Sequence, residues 1–398
     1  MSHASSPALR SGAPLSVLLL CDEWSSHRGG ISTVNRALAA ALAAEGHRVV
    51  CLVESATREE HLDAAECGVE LVVAQRTPAG PNLFLPDPAV ERLRPDVVIG
   101  HDRVTGEAAW AHARKHGDAW LVHVVHTAPS EVERYKDSGR ATGRIEERER
   151  FTRLMAREAD VLAAVGPLLT RHTESVVHDG EHDVRVVRLD PGLDADGAAR
   201  TPPARPLVLV LGRTEEPLVK GLDIAAGAVA DLDVRPGAPA PTLLVRGAPE
   251  PLCDRVHADL VKGTGLAASR LDVRPFAAGN GEARRDLLRA AVCVMPSRAE
   301  GFGLSALEAI GVGTPVLVSA RSGLAELLFE VLGPGAAPMV VEVTDGPRDR
   351  AVWSEAIRRV LEDLPGAFAH AEDVRRLLAS RLGWRAAAVA LLGAPVRR

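Results

Sequence analysis

Short runs of Val, Leu and Ile alternate with longer Ala-rich stretches of helical period along nearly the whole chain. That alternation predicts parallel strands joined by covering helices. In the first half it predicts strands at Val17 to Cys21, Arg48 to Val53, Glu70 to Val73, Val97 to Gly100, Leu121 to Val125 and Val161 to Val165. Helices are expected at Ser32 to Glu45, with Ser32 as N-cap and Gly46 just past the end, and at Thr105 to Lys115. A second series of strands runs through Leu207 to Leu211, Thr242 to Arg246, Leu271 to Arg274, Val292 to Met295 and Pro315 to Ser319. Polar and Pro-rich residues near 190 to 205 separate the two series and predict a linker. The fold class is therefore α/β, with two Rossmann-like doubly wound parallel-sheet domains whose strand ends face a cleft. The expected bounds are 1–14 for a disordered lead-in, 15–195 for the first domain, 196–382 for the second and 383–398 for a closing helix.

A length of 398 residues agrees with two cores, and 46% hydrophobic with 25% charged residues is ordinary for a globular protein. A formal charge of −6 argues against a nucleic-acid partner, which calls for a basic face. Residues 1–14 lack the apolar core of a signal peptide, and no run reaches membrane-spanning length. The mixed-sign charge from Glu131 to Glu158 reads as a solvated helical face, although peripheral membrane contact is compatible with the sequence. Five cysteines, Cys21, Cys51, Cys67, Cys253 and Cys293, show neither CxxC nor Cys/His ligand spacing. Free thiols in a reducing cytoplasm are expected, with no metal site.

The most informative segment is PSRAEGFGLSALEAIGVGTPVLVSARSGLAE, Pro296 to Glu326. Glu300 and Glu308 bracket the turn Gly301-Phe302-Gly303, which lies between an apolar strand and the helical run Leu304 to Ile310. Unpaired backbone N–H groups at such a helix start suit a phosphate. Carboxylates repel an anion, but they accept hydrogen bonds from hydroxyl groups. Phosphate flanked by a sugar and a ribose satisfies both facts, so the predicted ligand is a nucleotide sugar.

Three further patterns add to this. In LVLVLGRTEEPLVKGLD, Leu207 to Asp223, a strand ends in Gly212 and is followed by Arg213 and then Lys220-Gly221. These cations can clamp a diphosphate and neutralise charge on a departing nucleoside diphosphate. In CDEWSSHRGGIST, Cys21 to Thr33, Gly29 and Gly30 before a helix allow close approach of a ligand to the backbone. This is not GxGxxG, and only Glu54 could serve a dinucleotide's ribose, so a dehydrogenase reading is weak. His101 and His126 stand at carboxyl ends of strands, where ligands bind in such folds. His123 lies inside its strand and reads as structural.

Together these residues resemble glycosyltransferase family 4, the retaining, metal-independent transferases of the GT-B fold. The resemblance runs in order through Gly29-Gly30, His126, Pro191-Gly192-Leu193-Asp194, Gly212-Arg213 with Lys220-Gly221, Glu300 to Glu308, and Trp384 before the closing helix, which in this fold returns to the N-terminal domain. It implies an N-terminal acceptor-binding domain and a C-terminal nucleotide-sugar-binding domain. It implies that Glu300 binds the donor sugar, Glu308 the ribose, and Arg213 with Lys220 the diphosphate, helped by N–H groups at Phe302, Gly303 and Leu304. His126 would contact the donor sugar near the reacting carbon. Gly30 would approach the phosphate or acceptor, and Arg274 to Ala277, including Phe276, would meet the base through the backbone. The acceptor side would be formed by Gly29, Gly30, His101 and His126. Catalysis would rest on His126, Arg213, Lys220 and Glu300, with same-face attack and the departing phosphate taking the acceptor's proton. No cofactor is implied beyond the donor, a UDP-, GDP-, ADP- or dTDP-sugar, and the acceptor is a small molecule, a lipid-linked molecule or a glycan. The sequence departs from the family at Pro191, where Asn is usual, and in Glu215-Glu216-Pro217, whose charges lie beside the phosphate clamp. A sugar-nucleotide epimerase on the same fold and a non-catalytic nucleotide-sugar-binding module are the alternatives. The first needs added acid/base groups, and the second has no need of His126, Arg213, Lys220 and Glu300 together.

Overall fold

A computed structural model describes residues 13–26, 29–117, 119–133, 135, 141–179, 184–195, 197, 199–233, 239–276 and 280–393. The expected lead-in lies almost wholly outside the described residues, as do His27, Arg28, Ala277, the last five residues and the first half of the Pro/Ala-rich stretch 236–241. The chain divides into two units, one of Met1–Pro129, Thr142–Gly192 and Gly383–Arg398, the other of Ser130–Ala141 and Leu193–Leu382.

In unit 1 the strands are β1 (Ser16–Leu20), β2 (Arg48–Val53), β3 (Val69–Val73), a two-residue pair β4 (Arg76–Thr77) and β5 (Gly80–Pro81), β6 (Val97–His101), β7 (Trp120–Val125), β8 (Val161–Val165) and β9 (Arg185–Leu189). Seven of them form a parallel sheet in the order β3-β2-β1-β6-β7-β8-β9, and β4 pairs antiparallel with β5. Central strands such as VLLL and VVCLV are apolar at every position because helices cover both faces. Leu18, Leu20, Val50, Leu52, Val98, Leu121 and Leu162 share one core. β9, RVVRL, was not expected, since arginines interrupt its apolar pattern, as suits an edge strand.

Unit 2 holds β10 (Leu207–Leu211), β11 (Thr242–Ala248), β12 (Leu271–Pro275), β13 (Val292–Met295), β14 (Val316–Ser319) and β15 (Val340–Val341). They form a parallel sheet in the order β12-β11-β10-β13-β14-β15. Val208, Val210, Leu243, Val245, Val292, Val294 and Leu317 pack there with the fully buried Trp353.

Two placements differ from the sequence reading, the start of the first long helix and the grouping of Ser130–Ala141. The first long helix is Gly30–Ala44, capped by Gly29, so Ser32 is internal; its single O–H is shared between Glu23 Oε1 and the Gly29 carbonyl, both at 2.9 Å. Gly46 does stand past the helix end, with φ 88°. Ser130–Ala141, expected in the first domain, groups with unit 2. There the Tyr135 hydroxyl donates to Asp345 at 2.8 Å and accepts from Arg321 at 2.6 Å. The terminal helix Trp384–Leu392 belongs to unit 1, where it packs on the helix Gly30–Ala44 and on β9 and pairs Arg385 with Glu45 at 2.6 Å.

Candidate functional site

In unit 2, β10 lies beside β13, while its sequence neighbour β11 lies on the other side. Connections therefore leave these two strands in opposite directions and open a crevice at their carboxyl ends. The loop after β10 carries Arg213 and Lys220, and the loop after β13 carries Glu300. Gly221 lets them meet. It holds a left-handed φ of 65°, and a Cβ there would stand 2.0 Å from the Pro296 carbonyl oxygen. The Arg298 N–H also bonds the Val219 carbonyl at 2.8 Å, while its guanidinium forks onto Asp223 and reaches Asp345 at 3.3 Å. Braced in this way, Lys220 Nζ donates to Glu300 Oε2 at 2.6 Å, and the Ser297 hydroxyl stands 3.4 Å from the same oxygen. Residues eighty positions apart thus form one half-buried charged pair.

The turn Gly301-Phe302-Gly303 then enters the helix Leu304–Gly311. Gly303 is its N-cap at φ 111° and has no side chain to cap it, so the first helical N–H groups are open for an anion. Phe302 is buried, and its carbonyl accepts from the Leu324 N–H at 2.8 Å, which ties the turn to the next helix. Glu308, one turn into the helix, keeps part of its surface in solvent, while the protein around its carboxyl removes much of that group's hydration. Desolvation, with the nearby charge of Asp194, pushes it up to about 7.

Arg213 is engaged by Glu215, which accepts from its Nη2 at 3.0 Å and from its Nε at 3.2 Å. Desolvation would raise the Glu215 carboxyl, but the Arg213 guanidinium holds it below the usual range. The acidic residue flagged in the clamp loop is thus the partner of the clamp's own arginine.

The expected base-contacting stretch is less available than its sequence implies. Arg274 is bound to Asp272 at 2.7 Å and to Asp286 at 3.4 Å. The Phe276 N–H already donates to the Ala248 carbonyl at 3.0 Å, so it is not open for a base. Asp286 is buried because it also pairs with the buried Arg246, a strand arginine that sequence reasoning missed.

In unit 1, Gly29 and Gly30 begin the helix that carries Asn35, and the Gly29 carbonyl is held by the hydroxyls of Ser26 and Ser32. His101 and His126, at the ends of β6 and β7, are brought together: His101 Nδ1 lies 2.9 Å from His126 Nε2. His101 Nε2 lies 2.9 Å from Asn35 Oδ1. His101 is fully buried with both nitrogens engaged, so neither ring nitrogen is open for the direct acceptor contact expected from the sequence. Burial pushes both rings down, His126 to about 3, which keeps them neutral. Asp102 follows His101 with a left-handed φ of 38°, an uncommon conformation for a residue with a side chain. Its carboxylate accepts from the His126 N–H and the Thr127 hydroxyl, each at 3.2 Å, and burial nonetheless raises it to about 7. His123 is buried edge-on to Phe151 with Nδ1 unpartnered, as a structural residue.

The model of the family 4 glycosyltransferases in conflict systems matches residues 18–391. The chain belongs to this family. Among relatives, a glycogen synthase of Mycobacterium tuberculosis is 28% identical over 91% of this glycosyltransferase and 89% of its own length. A D-inositol 3-phosphate glycosyltransferase of Xylanimonas cellulosilytica is 30% identical over 75% of this chain and 70% of its own. Among solved structures, the sucrose-phosphate synthase of Thermosynechococcus elongatus superposes with a TM-score of 0.70 at 22% identity, covering 94% of this chain and 96% of that one. Anabaena Alr3699/HepE in complex with UDP-glucose gives 0.68 at 16%, covering 95% and 98%. These likenesses bear out the GT-B fold expected from the sequence.

In each unit, neighbours of the candidate side chains were not singled out from sequence: Asn35 and Asp102 in unit 1, Asp223 and Arg298 in unit 2. Asn35 and Asp223 lie on helices following the two glycine-containing loops, the one signal that could have drawn attention to them. Among the described residues, no three or more His, Cys, Asp or Glu side chains are grouped to hold a metal ion, and no helix is long and apolar enough to cross a membrane.

Proposed function

We propose that this enzyme is a retaining, metal-independent transferase that moves a glycosyl group from a nucleoside-diphosphate sugar to a hydroxyl of its acceptor. The observation that carries the reading is the Lys220–Glu300 pair beside the uncapped start of the helix Leu304–Gly311. It joins a cation and open N–H groups for a diphosphate to a carboxylate that can accept hydroxyl hydrogens. Glu300 holds the donor sugar and Glu308 the ribose, while Lys220 and Arg213 bind the diphosphate. These cations supply the charge neutralisation a divalent ion would otherwise provide. As the glycosidic C–O bond breaks, its electron pair goes to the departing phosphate. The acceptor oxygen bonds to the same face of the anomeric carbon, and its proton goes to a phosphate oxygen. The two relatives are named for glycogen and for inositol 3-phosphate, both polyhydroxylated, which supports an acceptor of that chemistry. All five cysteines are unpaired thiols, which suits a reducing compartment such as the cytoplasm.

The test is a thermal-shift screen with UDP, GDP, ADP, dTDP and their sugars, followed by donor hydrolysis with and without EDTA. One nucleoside diphosphate should raise the melting temperature, and EDTA should leave turnover unchanged. If no nucleoside diphosphate or nucleotide sugar shifts the melting temperature, the donor assignment fails. If EDTA abolishes turnover, metal independence fails.

A further inference from the structure

The strand-end histidines of unit 1 form part of an ordered chain of polar groups. Asn35 Nδ2 points at the Cys51 sulfur, 3.3 Å away, which turns its Oδ1 toward His101 Nε2 at 2.9 Å. An amide oxygen can only accept, so His101 Nε2 carries the hydrogen. A neutral imidazole has one N–H, so His101 Nδ1 is then a bare acceptor. Facing it at 2.9 Å is His126 Nε2, which must be the donor. The second nitrogen of His126 is left without its hydrogen, and Nδ1 meets no hydrogen-bond partner among the described residues.

The surrounding scaffold is buried and hydrogen-bonded. His101 and Asn35 are both fully buried. The His101 N–H donates to the Thr105 hydroxyl at 2.9 Å, which itself donates to the Leu20 carbonyl at 2.8 Å and so pins the end of β6 to that of β1. Asp102 holds the His126 backbone from the same turn.

We propose that Asn35 and His101 are positioning residues that lock His126 in its Nε2–H tautomer, so that His126 Nδ1 offers a lone pair to a hydroxyl hydrogen of the substrate. This rests on the reading that His126 faces the sugar during transfer. It makes His126 a hydrogen-bond acceptor there, selective for a hydroxyl over a carbonyl or phosphate oxygen, which would leave two acceptors opposed. Exchanging the two ends of the Asn35 amide would reverse every donor in the chain, so its orientation decides the outcome.

The experiment is nitrogen-15 NMR of the histidine-labelled full chain, with His126 assigned by a His126→Gln variant. A bare Nδ1 and a protonated Nε2 are expected for His126 in the wild type. Asn35→Leu removes the acceptor and should populate both tautomers and lower kcat roughly 10- to 100-fold, with nucleoside-diphosphate affinity unchanged. Asn35→Asp keeps an acceptor oxygen and should restore the single tautomer and most of kcat. A protonated His126 Nδ1 in the wild type overturns the proposal, as does an Asn35→Leu enzyme with unaltered kcat. If Asn35→Leu does not fold, the wild-type spectrum still decides. Should the chain transfer no nucleotide sugar, the spectrum tests the tautomer independently of that failure.

Discussion

Lys220 has two claims on its ammonium: Glu300 in the free protein and, in the proposed complex, a diphosphate. The three remain compatible because one ammonium carries three donors, so it can keep the carboxylate while reaching a phosphate. Removing either member leaves its partner's charge half-buried. Glu300→Ala and Lys220→Ala are each expected to lower kcat on the order of 10²- to 10³-fold with the far-ultraviolet circular dichroism unchanged. Near-normal turnover in both would refute the site. Arg213 differs, because its exposed pair with Glu215 is held by only about 0 to 1 kcal/mol and is easily displaced by phosphate. Glu215→Gln should therefore lower the KM for the donor a few-fold, and a raised KM would show that Glu215 helps to orient the arginine. Glu308 introduces a pH dependence. With its carboxyl at about 7, it is increasingly protonated as pH falls below that value, and in the proposed complex it then can no longer accept from both ribose hydroxyls. The kcat/KM for the donor should fall toward a tenfold loss per pH unit below about 7, and Glu308→Gln should flatten the profile. The stability effect runs the other way: Glu308 and Asp102, both raised, favour the folded state at low pH and lose that contribution as pH rises toward 7.

At the scale of elements, the loop crossing at Gly221 decides whether Lys220 meets Glu300. A methyl group there collides with the Pro296 carbonyl and strains a left-handed φ. Gly221→Ala should cost at least about 1 kcal/mol, seen as a lowered melting temperature, and should weaken donor binding at the same time. Loss of stability without loss of donor affinity would show that the crossing is not what sets the pair. The strands with unbroken Val/Leu runs, β1, β2, β8, β10 and β13, were legible in sequence within a residue because burial on both faces leaves no polar position. β9 was not, since an edge strand tolerates arginines, and Ser32 was misplaced as a cap because two glycines can begin a helix without one. Glu300 and Lys220 were legible as candidates because each follows a strand and adjoins a glycine. Their direct bond was not, since nothing local links positions eighty residues apart.

At the scale of the whole molecule, the chain ends in the unit where it began. The helix Trp384–Leu392 buries Ala387, Ala388 and Leu391 in unit 1, so a chain truncated after Leu382 should unfold at a lower temperature. Leu391 alone accounts for about 1.5 to 3 kcal/mol of that loss. An unchanged thermal profile would show the helix to be dispensable to unit 1. Ligand binding acts in the opposite sense. A nucleoside diphosphate at one hundred times its Kd should add about 2.7 kcal/mol to the unit that holds it. By itself the sequence determined the α/β class, the succession of two sheets and the loops that carry chemistry, because hydrophobic period and glycine placement are local properties of a chain. Only the tertiary structure decided that Lys220 holds Glu300, that Glu215 occupies Arg213, and that His101 stands between Asn35 and His126. Those relations depend on which strand lies beside which, and on how closely two backbones can approach, neither of which any single segment encodes.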